Sequence, residues 1–251
     1  MLGKIKEITN EKYFHIIMLV LILLVLIFTT GAIILRYNVE GETNMPFELS
    51  KISIISSSEG IDKEVVDTKW AFDVCQNNDI YIYIDKNSNY DRTEAIKSVQ
   101  ISNIKVESEK EREIKIYRPE KIEERVIFKN SEENEVKDLT YMGDMVSNLK
   151  ETKISNQGGI IAFRCSNINV GEYTSNEEEI NHHELLDKLE ISDEDLNIKL
   201  IFDLTIELER GKTYKSTITL DLPVEGIIEN GTTSVELTQS RDFIFKRVKN
   251  T

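Results

Sequence analysis

Two stretches of the 251-residue chain carry residue types at spacings that could do chemistry. Glu179-Ile180-Asn181-His182 is formally E-x-x-H. On a helix, residues three apart share a face, so a carboxylate and an imidazole could meet one metal ion there. A di-iron centre needs a second such motif and two further glutamates in a bundle, and the sequence offers no such set. Solvated helix residues are therefore the favoured reading of Glu179 and His182. The second stretch is Asp85-x-Asn87-x-Asn89-x-Asp91, oxygen-bearing side chains at alternate positions, as at the start of a calcium loop. It departs from the EF-hand where Tyr90 replaces the turn glycine and Ile96 replaces the bidentate glutamate. A polar loop between strands fits it equally well.

The chain contains no G-x-S-x-G, no G-x-x-x-x-G-K-[ST], no H-E-x-x-H and no paired C-x-x-C. No catalytic residue, metal ligand or cofactor site is assigned from the sequence. A carboxylate-pair hydrolase has ample acidic residues, 45 Asp and Glu, but nothing selects two at the required separation. Tyr81, Tyr83, Tyr90 and Trp70 could supply stacking surfaces for a glycan, or be ordinary strand aromatics. Cys75 and Cys165 could close a disulfide loop of about 90 residues, or stand as two separate buried thiols.

The element that places all of these is Phe14 to Leu35, FHIIMLVLILLVLIFTTGAIIL, 22 residues without a formal charge. At about 1.5 Å per residue it spans about 33 Å, the thickness of a bilayer's hydrocarbon core. It reads as one transmembrane helix and signal-anchor, with Tyr13 and Tyr37 at the interfaces. Lys4, Lys6 and Lys12 precede it and Arg36 follows. This bias puts residues 1–13 in the cytoplasm and the rest outside. A cleaved signal peptide, cut near Thr30-Gly31-Ala32, is the rival, though its apolar region is ordinarily shorter. The first 35 residues carry a net +1 against −14 for the whole chain, leaving −15 for the body. Such a body repels nucleic acid and anionic lipid.

Residues 36–46 read as a stalk and 47–251 as the exported domain. Phe47, Leu49, Ile52 and Ile54 alternate with a one-residue slip at Ser50-Lys51, which implies a bulge. The strand is expected to end over Ser56 to Gly60. Lys69–Cys75 and Asp79–Asp85 read as two strands, Ile96–Glu107 as another with a slip between Ile101 and Ile104, and Glu113–Arg118 as the next, closed by Pro119. Arg125–Lys129 and Gly159–Asn167 read as strands. Val136, Leu139, Met142, Val146 and Leu149 recur at three and four, so a helix is expected over Asn134–Lys150, with a second from a Ser175/Glu178 capping box onward. Leu196–Leu208 and Tyr214–Leu222 alternate without a break. A three-residue loop, Glu209-Arg210-Gly211, puts Phe202 opposite Ile218 and Leu200 opposite Leu220. Asp242–Val248 is a final strand. The sum is a mainly β chain: a transmembrane helix followed by an elaborated antiparallel β-sandwich, immunoglobulin-like or jelly-roll-like, with two short helices.

Arg36–Gly60, Gly158–Tyr173 (GGIIAFRCSNINVGEY) and Leu220–Leu237 (LDLPVEGIIENGTTSVEL) resemble uncharacterised single-pass membrane proteins of clostridia-type bacteria with an exported β-rich domain. The resemblance implies a small anchor and an extracellular body, and brings no activity and no site residues. The expectation is a non-enzymatic binding or scaffolding protein of the cell envelope. Its partners would be the lipid bilayer, through Phe14 to Leu35, and another envelope protein or wall component. A cell-wall glycan-binding module is the alternative.

Overall fold

The computed structural model describes residues 2–38, 45–64, 68–108, 110, 112–122, 125–145, 152–238 and 243–248. Helix α1 runs Leu2–Asn38. Within it Tyr13–Ile33, 21 residues, is long and apolar enough to cross a membrane, and none of it is buried against the rest of the chain. Most of the expected stalk lies outside the described residues. Met45 is already fully buried in the body, two residues before the expected domain start.

The body is mainly β. Its strands are β1 (Phe47–Asp62), β2 (Trp70–Lys86), β3 (Ile96–Ser108), β4 (Ile114–Tyr117), β5 (Glu120–Ile122), β6 (Arg125–Ile127), β7 (Leu139–Asp144), β8 (Lys153–Ser155), β9 (Gly159–Ser175), β10 (Ile198–Leu208), β11 (Thr213–Asp221), β12 (Thr232–Thr238) and β13 (Lys246–Val248). They form a five-stranded sheet, β12-β1-β2-β9-β4, a six-stranded sheet, β13-β11-β10-β3-β7-β8, and the separate hairpin β5-β6. All pairings are antiparallel except β7 with β8.

Alternation builds the core. Ile52 and Ile54 of β1, Ile80, Ile82 and Ile84 of β2, and Phe163 of β9 point inward from one sheet. Val99 and Ile101 of β3, Leu200, Phe202 and Leu204 of β10, and Ile218 of β11 point inward from the other. Phe163 and Phe202 meet edge to face, 5.4 Å between centroids, which ties the two sheets together. Phe202 pairs with Ile218 and Leu200 with Leu220. Gly211, at φ +76°, takes the left-handed turn position that the three-residue loop requires.

Both expected slips are present. The β1–β2 register shifts between Leu49 and Lys51. The β3–β10 register shifts opposite Ile201/Asp203, where Asn103 adopts φ 54°.

Four expectations are corrected. The first concerns β1, which continues to Asp62, and Lys69–Cys75 with Asp79–Asp85, which are one strand, β2. Gln76-Asn77-Asn78 has a turn's composition, yet all three side chains are buried within the ladder.

The second is the helix over 134–150. Leu139–Asp144 is strand, with Leu139 and Tyr141 buried and Thr140 and Met142 exposed, a period of two that the three-and-four spacing masked. Residues 146–150 lie outside the described residues. A Cβ on Gly143 would stand 2.0 Å from the Ile96 carbonyl oxygen, so this strand needs glycine for close backbone approach.

The third is the helix from Ser175. Strand β9 runs through that residue, and the segment beyond makes only a 3-10 turn, His182–Glu184, capped by Asn181. The two short helices of the body lie elsewhere: α2 (Asp193–Leu196), entered from Ser192, whose backbone N–H donates to Asp195, and α3 (Ile227–Asn230).

The fourth is the final strand, which spans only Lys246–Val248: residues 243–245 precede it outside any strand, and Asp242 lies outside the described residues.

Leu185 and Leu186 are nonetheless buried. With Phe72, Val74, Val170, Leu196 and Ile227 they make a second, smaller apolar cluster under the far end of the five-stranded sheet.

Candidate binding face

Because Ile80, Ile82 and Ile84 turn inward, Asp79, Tyr81 and Tyr83 line the outer face of the five-stranded sheet. The register with β9 sets Asp79 beside Arg164, Tyr81 beside Ala162 and Asn77 beside Ser166. That with β1 sets Tyr83 beside Lys51. The chain after β6 crosses this face. Phe128 meets Tyr81 edge to face at 6.3 Å, and the Arg164 guanidinium lies 5.2 Å from the Phe128 ring centre. Asn130 donates to Asn77 Oδ1 at 3.0 Å and to Ser166 Oγ at 3.2 Å, and accepts from Arg164 at 3.1 Å.

Arg164 is the centre of this arrangement. It is 9% exposed. Its Nε and one Nη donate to the two oxygens of Asp79 at 2.6 and 3.0 Å, and its other Nη lies 3.5 Å from Glu59. Asn77 donates to the same Glu59 at 2.5 Å. The guanidinium is thereby committed within the fold, and both carboxylates are committed to it. Burial, with Asp79 beside it, pushes the Tyr81 phenol above its ordinary pKa, so the hydroxyl stays neutral. Lys51 stands 4.4 Å over the Tyr83 ring and pairs with Glu236 at 2.8 Å. The result is a face of rings, hydroxyls and paired charges.

Of the four aromatics singled out from the sequence, the structure brings only Tyr81 and Tyr83 together. Trp70 stacks on Phe72 at 6.1 Å and donates its indole N–H to the Glu177 carbonyl. Tyr90 sits in the β2–β3 loop against Lys212.

In the calcium-like stretch, Asn87 is buried. It donates to the Met45 carbonyl at 2.9 Å and accepts from the Asn89 N–H at 2.9 Å, while Asp85 accepts from Ser50. This is an Asx turn locking the loop to the start of the body. Glu179 lies before the 3-10 turn that holds His182, whose ring packs on Phe72 at 5.1 Å, so no helix brings the two onto one face. Among the described residues no group of three or more His, Cys, Asp or Glu side chains is placed to hold a metal ion.

Cys75 and Cys165 are separate buried thiols. Cys165 lies opposite Asn78, and Cys75 sits at a register shift, donating to the Ile168 carbonyl at 3.2 Å. A groove of about 500 Å³ opens where β3, β10 and β11 end, beside Glu107, Asn197 and Asp221. It gathers none of the residues described above.

Arg164, Asn77, Asn130, Ser166 and Phe128 were not picked out by motif. For Arg164 a signal exists in its place between Phe163 and Cys165, a charge inside an apolar run. Asn130 carries none, because it reaches the face from a distant segment.

The fold and this face define a two-sheet β body behind an apolar N-terminal helix. No protein-family model, no curated protein and no solved structure matches the chain.

Proposed function

We propose that this chain is a membrane-anchored, extracytoplasmic, non-enzymatic binding or scaffolding protein of the bacterial cell envelope. Residues 1–13 lie in the cytoplasm and the β body outside. The observation that carries the reading is the bilayer-length segment Tyr13–Ile33, of which nothing is buried against the body. A helix so apolar needs a non-aqueous surrounding. The outer face of the five-stranded sheet adds support, since its charges are spent on internal pairs and its rings and hydroxyls are what remain to meet a partner.

In-cell crosslinking of the full-length chain followed by mass spectrometry tests this. One dominant envelope protein is the expected outcome, and its capture should fall when Tyr81→Ala and Tyr83→Ala are combined. Reproducible absence of any partner would sink the reading. Protease added to intact cells should digest the body, whereas protection of the body would reverse the orientation.

A second reading, cell-wall glycan binding, is favoured by the placement of Tyr81 and Tyr83 two residues apart on one face. Retention of the full-length chain on purified wall material, lost in the same double variant, would select it. Trp70, half-buried against Phe72 at the start of β2, stands away from Tyr81 and Tyr83.

A further inference from the structure

The two larger sheets have four edges among the described residues, and they are not alike. Strand β4 is four residues long and is followed by Pro119, and β8 and β13 are three residues each and carry Lys153, Lys246 and Arg247. Short length, proline and basic side chains are the ordinary devices that keep an edge from pairing with another chain. Strand β12, Thr232-Thr-Ser-Val-Glu-Leu-Thr238, has none of them. It is seven residues long, with no proline, no lysine or arginine, and no register shift against β1. Its single charge, Glu236, is neutralised by Lys51.

The ladder says which backbone groups are free. Thr232 pairs with Ser57, so Gly231 stands opposite Ser58, and the Ser58 N–H donates to the Gly231 carbonyl at 2.9 Å. That is a hydrogen-bonded pair, and such pairs alternate along an antiparallel ladder. Thr233, Val235 and Leu237 therefore turn their backbone groups toward β1. Thr232, Ser234, Glu236 and Thr238 turn theirs away from the sheet.

We propose that β12 pairs antiparallel with β12 of a second copy of this chain, about a two-fold axis through Val235, joining two five-stranded sheets into one. The register is self-consistent. A two-fold at Val235 sets Ser234 opposite the partner's Glu236 and Thr232 opposite the partner's Thr238. These are the four residues whose backbone groups point outward, giving about eight inter-chain hydrogen bonds. Val235 meets its own copy at a non-hydrogen-bonded position. No like charges stand directly opposite each other. Val235 and Leu237, now only partly buried at the margin of the core, gain cover. This goes beyond the binding reading above and does not depend on which partner the outer face takes.

The test uses the full-length chain in detergent micelles. At a non-hydrogen-bonded antiparallel pair the two Cβ atoms approach to about 4.5–5.5 Å, close enough for a disulfide after a small adjustment. Val235→Cys under mild oxidant should shift the chain from 29.0 kDa to about twice that mass. Thr219→Cys, exposed on the other sheet, should not. Adding Ser234→Glu places carboxylates opposite each other across the axis at an exposed position. The dimer band should then be lost at low salt and regained near 1 M salt, where the Debye length falls to about 3 Å. A Val235→Cys chain that stays monomeric, a Thr219→Cys chain that crosslinks as fully, or a band indifferent to Ser234→Glu would each overturn the proposal.

Discussion

Arg164 and Asp79 face each other across the β2–β9 ladder and share two hydrogen bonds, 2.6 and 3.0 Å, beneath the ring of Phe128. Removing one member of a buried pair leaves the other charge without its partner, which costs more than the pair itself contributes. Arg164→Ala is expected to destabilise the body by about 3–5 kcal/mol. Asn130→Ala, which removes one clamp on the same group, is expected to cost about 1–2 kcal/mol. Urea unfolding followed by circular dichroism measures both, and an Asn130→Ala loss as large as that of Arg164→Ala would contradict the assignment of Arg164 as the centre.

Asp203 lies on the outer face of the six-stranded sheet, beside the bulge at Asn103. Burial on its own would raise its pKa, but Lys215, Thr217 and Asn103 all donate to it and hold it below the ordinary 3.8. A carboxyl lowered by folding stabilises the native state fully above its unfolded value, and that share is lost as pH falls through the folded value. Asp203→Asn is expected to lower stability at pH 7 by about 1–2 kcal/mol and to flatten the decline in stability below about pH 4. Equal acid sensitivity in the two chains would show that Asp203 does not carry it.

Burial pushes the Cys165 thiol up to about 12, and burial with Glu59 and Asp73 nearby does the same for Cys75. The thiolate is the reactive form, so both should resist iodoacetamide in the folded chain at pH 8 and label quickly in denaturant. Mass spectrometry should then find two labels after denaturation and none before. Fast labelling of the folded chain would place a thiol at the surface.

Gly143 separates the strand from the helix that its neighbours' spacing suggests. In a helix interior, Gly→Ala stabilises by about 1 kcal/mol. In this strand a Cβ would stand 2.0 Å from the Ile96 carbonyl oxygen, so the two backbones must part. Gly143→Ala is expected to destabilise by at least about 2 kcal/mol, within the range of backbone-clash mutations. The sign of the change in urea midpoint decides between the two.

These residues show what a single sequence discloses. The β10–β11 hairpin was readable to the residue pair, because unbroken alternation and a glycine at the turn leave one register. The bulges at Ser50-Lys51 and near Asn103 were readable because a slip in alternation has no other cheap cause in a strand. Strand continuity through Gln76-Asn77-Asn78 was not, since composition there speaks for a turn and only partners remote in sequence can satisfy buried amides. Asn78 donates to the Cys165 carbonyl and bonds Ser56, and Asn77 bonds Ser166, Glu59 and Asn130. The candidate face was half legible. Tyr81 and Tyr83 announce themselves by alternation, whereas Phe128 and Asn130 arrive from a loop whose path is a tertiary fact. Strand β12 passed unread because it follows Asn230-Gly231 as seven residues with only two aliphatic side chains.

The polar belt at Gln76, Asn78 and Asn167 divides the interior under one sheet. On one side lie the residues around Phe163 and Phe202, on the other those around Phe72, Leu185 and Leu186. Strands β1, β2 and β9 pass over both without interruption. Two compartments that share a roof but no filling need not melt together. The smaller one has fewer apolar contacts to lose, so its amides should exchange with deuterium by a sub-global opening, at lower free energy than those of the larger. The long strands would stay zipped on one half while the other breathes, giving one continuous sheet two separately tuned stabilities.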